Sequence, residues 1–319
     1  MIKDFNKLET LLTDRAKELA NGCKKVFVAV SGGVDSSLVA AVLCKAFGPE
    51  NVVGLHRNVR SNPKHLEDVR SLQSVLGFKL LVVDGNEIYD NLLNQLKKQF
   101  NELGLPWAQE NTTEAEQLGF TNAYASLKSR LTTPMAGFIA KAVDNGNGRI
   151  FGTGNGEEDS ILRYFDKYGD GAVDNNILNG LTKGEVKQMA AYMSVPQVIV
   201  TKIPSADLEA NGDKHNDEGQ LTKWAKDMGL DIKISYGSED GSQEGNIAWA
   251  WKEDIKNGVV TGGNKNKTAQ EMGNEPFNYS DLQTKTVLFL RAVDKSTKHK
   301  VSPIPGLERS VLTNCGAVD

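Results

Sequence analysis

"VFVAVSGGVDSSLVAAVLCKAF", residues 26–47, passes from five small or apolar residues through two glycines and three serines into apolar positions at helical spacing. A short buried strand, a tight turn and a packed helix produce this order. Leu38, Val42 and Ala46 recur every four residues, as do Val39, Leu43 and Phe47, so this face of the helix is expected to be buried and the turn before it held rigid. A strand feeding a helix in this way directs free backbone N–H groups at whatever occupies the turn, and the helix dipole favours an anion there. Gly32 and Gly33 allow close approach, and the hydroxyls of Ser31, Ser36 and Ser37 are expected as donors. The turn has no GxxxxGK[ST] lysine; it carries Asp35 instead, which suits a magnesium ion bound together with phosphate.

Three further apolar runs, "NVVGL" at 51–55, "KLLVV" at 79–83 and "RIFGTGN" at 149–155, read as strands, and helical patterns separate them. One helix opens at Pro63 and closes at Gly77, a second covers about 86–103, and a third pattern runs from 112 to 145 with a kink or interruption expected at Pro134. The N-terminus forms another helix, with Ile2, Phe5, Leu8, Leu12 and Leu19 near one face. Strands alternating with helices predict an α/β fold, a doubly wound, Rossmann-like parallel sheet whose ligands lie beyond the carboxyl ends of the strands. Both the "SGGVDSS" turn and the "GTGNGEED" turn at 152–159 fall at that end.

With 319 residues the chain can bury a full core, and it is read as a single domain, 1–319. Its last third changes character, and about 236–290 is expected to be a long, loop-rich C-terminal insertion whose Trp249 and Trp251 serve packing. Lys and Arg number 37 against 41 Asp and Glu, so no basic footprint for nucleic acid is present, and no stretch is long enough to cross a membrane. Three widely spaced cysteines, Cys23, Cys44 and Cys315, form neither a disulfide framework nor a CxxC site, which fits a reducing cytoplasm. Cys23 and Cys44 are expected to be inert packing residues.

Five more motifs follow in order: "GTGNGEED", "RYFDKYGDGAVD" at 163–174, "LTKGEV" at 181–186, "IPSADL" at 203–208 and "TKHKVSPIP" at 297–305. The "SGGVDSS" turn resembles the pyrophosphate loop of the N-type ATP pyrophosphatases, which have an adenine nucleotide alpha hydrolase-like fold. The five later motifs resemble those of the ammonia-dependent NAD synthetases. The implied reaction uses ATP and Mg2+ to amidate deamido-NAD with ammonia, giving NAD, AMP and pyrophosphate through an acyl adenylate.

The resemblance assigns Asp35 and Glu158 to magnesium. It assigns Ser31, Gly32, Gly33, Asp35, Ser36, Ser37, Thr153, Lys183, Ser205, His299 and Lys300 to ATP. Arg130, Lys167, Asp170, Asp174, His299 and Lys300 fall to the dinucleotide, and Asp170 is the candidate to take a proton from ammonium. Asp35, Glu158, Asp170 and Ser205 form the implied catalytic set. Thr132 stands where the family commonly carries a second arginine. The resemblance also implies a homodimer. Two alternatives remain: another pyrophosphatase of this superfamily, GMP synthetase-like or tRNA-thiolating, or a nucleotide-binding regulator without turnover.

Overall fold

The computed structural model describes residues 1–107, 114–205 and 216–301, and the side chains of 119 onward in the second stretch. Cys315, residues 206–215 with the end of "IPSADL", and the end of "TKHKVSPIP" lie outside the described residues.

Helix α1 (Phe5–Ala20) is capped by Asp4, whose carboxylate accepts the Lys7 N–H, and it leads into β1 (Val26–Ala29) and α2 (Val34–Phe47). There follow β2 (Val52–Asn58), α3 (Pro63–Leu76), β3 (Lys79–Asp84) and α4 (Asn86–Glu102). The long helical pattern after them is two helices, α5 (Glu114–Arg130) and α6 (Thr132–Val143). The break falls at Leu131 rather than at Pro134, which instead occupies the first turn of α6, where its missing N–H has no intrahelical partner to lose.

Strand β4 (Arg149–Gly152) runs into a π-helix at Gly156–Leu162, and β5 (Asn175–Asn176) completes the sheet. All four pairings are parallel and the order is β3-β2-β1-β4-β5. The sheet therefore winds outward from β1 to β3 and then returns beside β1, which places the reversal between β1 and β4.

Alternation along β1 builds both layers. Val26, Val28 and Val30 point into a core with Leu12, Leu38, Val42, Val69 and Leu72 from α1, α2 and α3, while Phe27 faces Ala136 and Ala140 of α6. This is the doubly wound sheet that the sequence predicts. Beyond it come α7 (Lys183–Tyr192), α8 (Gln197–Val200) and α9 (Asp217–Asp227). The stretch 236–290 has long connections and also three helical segments, α10 (Asn246–Asn257), α11 (Ala269–Met272) and the start of α12 (Asp281–Thr297).

These helices share a second apolar cluster in which Ile247, Met272, Phe289 and Leu290 are fully buried. Trp249 packs edge-on to Tyr279 at 5.2 Å within it. Ile161 and Leu162 of the π-helix belong to the same cluster, so the C-terminal helices pack on the element that carries the acidic turn. No helix among the described residues is long and apolar enough to cross a membrane.

Candidate active site

The two turns of interest flank the reversal between β1 and β4, where a doubly wound sheet opens a crevice at its carboxyl edge. In the first, Gly32 has φ +83°, and a Cβ there would come 2.7 Å from the His65 carbonyl oxygen, so glycine is required. The serine hydroxyls turn onto the loop itself. Ser31 Oγ accepts the Gly33 N–H at 3.2 Å and lies 3.1 Å from Ser36 Oγ; Ser36 and Ser37 donate to the Gly33 carbonyl at 3.2 and 2.8 Å. The expectation that all three stand ready as donors needs correction: Ser36 and Ser37 are buried, and a buried hydroxyl must find a partner, so they shape the loop.

Asp35, in the first turn of α2, meets the second turn directly. Asn155 caps the π-helix by accepting the N–H groups of Glu157 and Glu158 at 3.0 and 3.1 Å, and its amide donates to Asp35 Oδ1 at 2.9 Å. Lys183 Nζ then bridges Asp35 Oδ2 at 2.5 Å and Glu158 Oε1 at 2.8 Å. Lys183 opens α7, which is fixed by a reciprocal cap between Thr182 and Glu185. Burial works against the ammonium, but the Asp35 and Glu158 carboxylates outweigh it and raise its pKa above the ordinary lysine value.

The acidic turn is strongly desolvated. Burial raises Glu158, and it pushes Glu157 up to about 8 and Asp159 up to about 7, with the neighbouring Glu158 charge adding to both. Glu157 Oε1 accepts the Lys183 N–H at 2.6 Å, and its Oε2 has no partner among the described residues. Asp159 accepts from Asn176 at 2.8 Å. Gly156 leaves no room for a side chain, since a Cβ would lie 1.9 Å from the Trp251 ring.

A second group of residues gathers around the loop 163–171. Asp170 Oδ1 accepts from Ser129 Oγ and from the Asp166 N–H, both at 2.9 Å. Although the residue keeps exposed surface, packing about the carboxyl raises the Asp170 pKa by desolvation. Arg130 donates to Asp166 at 2.9 Å and its guanidinium stands 5.8 Å from the centre of the Tyr168 ring. Lys167 donates to the His299 carbonyl at 2.9 Å, and Lys300 to the carbonyls of Arg163 and Phe165 at 2.8 and 2.6 Å.

Asp35, Glu158 and Lys183 are thus brought together with the first loop, and Arg130, Lys167, Asp170, His299 and Lys300 with the second. The π-helix joins them along the chain, with Glu158 near its start and Arg163 just past its end. Thr153 follows β4 at the mouth of the crevice. Asp174 sits elsewhere: its carboxylate accepts the Ile150 N–H at 2.7 Å and pins the edge of β4. Ser205 ends the described segment after α8, whose neighbour Lys202 donates to Asp68 at 2.8 Å and to the Gly32 carbonyl at 3.3 Å.

Sequence reasoning missed Asn155, Glu157, Asp159, Asp166, Lys202 and Tyr236. For Asn155 a signal existed, an asparagine just before an acidic helix start. The others depend on contacts between distant segments. Among the described residues no three His, Cys, Asp or Glu side chains form a metal-binding group. Two carboxylates converging on one cation do fit magnesium, which commonly takes one or two carboxylates and completes its shell with water and phosphate oxygens.

The NAD synthase family model matches residues 5–227, which include both turns and Lys183. The chain belongs to the NAD synthase family. An NH3-dependent NAD+ synthetase from Carboxydothermus hydrogenoformans is 36% identical over 237 residues, covering 73% of this chain and 86% of that protein. Two solved structures share the fold: an NMN synthetase from Francisella tularensis, with a TM-score of 0.63 and 19% identity over 95% of this chain and 97% of that one, and an NH3-dependent NAD synthetase from Campylobacter jejuni, with a TM-score of 0.61 and 20% identity over 96% and 100%. Residues 228–301 lie past the family match, yet they supply Tyr236 beneath Lys183 and Trp251 against Gly156.

Proposed function

We propose that this NAD synthase family member amidates deamido-NAD with ammonia, consuming ATP and releasing NAD, AMP and pyrophosphate. The observation that carries the reading is the convergence of Asp35 and Glu158 on one cation across the switch point, beside the glycine turn that opens α2. The nicotinate carboxylate attacks the α-phosphorus of ATP and pyrophosphate leaves; ammonia then attacks the acyl carbon and AMP leaves. Little covalent chemistry falls to the protein, so positioning and charge stabilisation dominate.

In this reading the backbone amides in the first turn of α2, Val34 to Ser36, face the pyrophosphate, while those of Ser31, Gly33 and Ser37 bond within the loop; Thr153 and Ser205 are further ATP contacts and Lys183 meets the phosphates. Asp35 and Glu158 would hold Mg2+, which when bound offsets the charge of the departing pyrophosphate. Arg130, Lys167 and Asp170 bind the dinucleotide, Asp174 holds the edge of β4 instead, and His299 and Lys300 approach phosphates of either substrate. Asp170 receives a proton from ammonium: its hydrogen bonds both fall on Oδ1, and desolvation raises its pKa, which makes the carboxylate a better proton acceptor.

The reading extends to a homodimer, which the exposed apolar residues Leu81 and Val82 on β3 and Ile88, Leu92 and Leu96 on α4 support. It also takes 1–319 as one domain, given the cluster shared by the π-helix and the C-terminal helices. A cytoplasmic location fits the unpaired Cys23 and Cys44; burial pushes the Cys44 thiol up to about 12, as suits a packing residue.

The deciding experiment follows AMP, pyrophosphate and NAD from Mg-ATP and ammonium with deamido-NAD, with xanthosine monophosphate or with no acceptor. NAD and AMP appearing in equal amounts with deamido-NAD alone is the expected result. ATP binding without NAD formation would overturn it.

A further inference from the structure

Asp35 and Glu158 each set a carboxylate oxygen against the same ammonium, Lys183 Nζ, and that side chain is 4% exposed. A divalent cation held by both carboxylates enters the space that this ammonium occupies. Two cations cannot share so small and desolvated a site, because their repulsion is poorly screened there.

The backbone of Lys183 has no freedom to withdraw. Its N–H is held by Glu157 at 2.6 Å, and the Thr182–Glu185 cap fixes the end of α7. Only the four-carbon stem can move, and a lysine stem moves easily.

Tyr236 lies beside the ammonium. The centre of its ring is 5.8 Å from Lys183 Nζ, the residue is 2% exposed, and its hydroxyl has no hydrogen-bond partner among the described residues. Its backbone is fixed by an N–H bond to Glu218 at 2.7 Å. A buried phenol oxygen without a partner is costly, and an ammonium is a donor that would satisfy it.

We propose that Lys183 is a tethered competitor for the metal: its ammonium holds the Asp35–Glu158 pair until a divalent cation binds there, and the ring and hydroxyl of Tyr236 then receive it. The proposal rests on the metal reading of Asp35 and Glu158 above and deepens it. Without nucleotide the displaced ammonium rests against Tyr236, and bound phosphates, when present, take it over from there. Tyr236 acts here as a positioning residue, supplied by a part of the chain past the family match.

Electron paramagnetic resonance of free Mn2+ tests this with protein and Mn2+ alone, without nucleotide, dinucleotide or ammonium. Asp35→Asn should abolish the site being read. Lys183→Met should bind Mn2+ tighter than wild type by on the order of tenfold, and Lys183→Arg, which keeps the cation, should stay near wild type. Tyr236→Phe should change affinity in the opposite sense, weakening it by about threefold because the displaced ammonium loses an acceptor.

A folded Lys183→Met protein that binds Mn2+ no tighter than wild type overturns the proposal. If that variant does not fold by circular dichroism, Tyr236→Phe decides: weaker binding supports the exchange, and equal or tighter binding overturns it. Because no synthesis is measured, a protein that shows the exchange but makes no NAD would overturn the synthetase reading alone.

Discussion

The two halves of the candidate site are held by different means. Around Asp35, Glu158 and Lys183 the side chains are 15%, 17% and 4% exposed and opposite charges meet directly. Around the loop 163–171 ion pairs occur at its start, Arg163 with Asp294, and between Arg130 and Asp166, but most contacts are to backbone carbonyls and hydroxyls, and the Arg130 side chain is 52% exposed. A buried charge cluster fixes its geometry because leaving any one charge unpaired is costly. A loop clamped by peripheral hydrogen bonds tolerates adjustment to what it binds. The contrast suits a site with fixed phosphate chemistry at one end and recognition of a larger substrate at the other.

Asp35→Asn puts this contrast under the greatest strain, and it should lower AMP formation by ~10³-fold in steady-state assays. Turnover within tenfold of wild type would show that the buried cluster is structural and that the chemistry lies elsewhere.

Next in size is Gly156→Ala. A methyl group directed into Trp251 should cost about 3 kcal/mol in urea denaturation, and adding Trp251→Ala should recover part of that. A neutral result would detach the C-terminal helices from the acidic turn.

Arg130→Ala addresses the looser half. It should raise KM for deamido-NAD by roughly 10- to 100-fold while KM for ATP stays nearly constant, since bonds to an arginine fork are charge-assisted and directional. Equal rises in both constants would mean that the two halves act as one.

The last prediction concerns pH. Burial raises the Glu157 carboxyl to about 8, so the folded state binds a proton that the unfolded state has already released, and stability declines as pH climbs from about 4.5 toward 8. Glu157→Gln removes that proton linkage. Thermal melts should show the variant gaining on wild type progressively between pH 5 and pH 8. Parallel curves would place Glu157 in a less desolvated setting than its burial implies.

The alternation of Val26, Phe27 and Val28, the four-residue repeat along α2, and Pro63 with Gly77 are local features, and each appears in the fold where the sequence puts it. The joint between α5 and α6 shows the limit of local reading. A proline inside a helical pattern ordinarily marks a break, but Pro134 accepts a first-turn position, and tertiary packing chose Leu131 for the joint.

The candidate site was legible to the same depth. Asp35 and Glu158 stand out as carboxylates in glycine turns at strand ends, and their turns mark the crevice. The partners that decide their behaviour come from elsewhere in the chain: Lys183 from α7, Trp251 from α10, and Tyr236 from the segment before it. Nothing local in "SYGSED" signals that Tyr236 will be buried under a lysine 53 positions earlier.

Local chemistry along the chain was thus enough to set the order of strands and helices, the turn suited to phosphate and the residue types at the crevice, because periodicity, glycine conformation and helix-end dipoles act over a few residues. Which charges pair, which hydroxyls turn inward and which groups are desolvated were settled by packing in three dimensions. Those outcomes depend on distances between segments far apart in the chain, and a carboxylate or an ammonium takes its properties from whatever folding brings beside it.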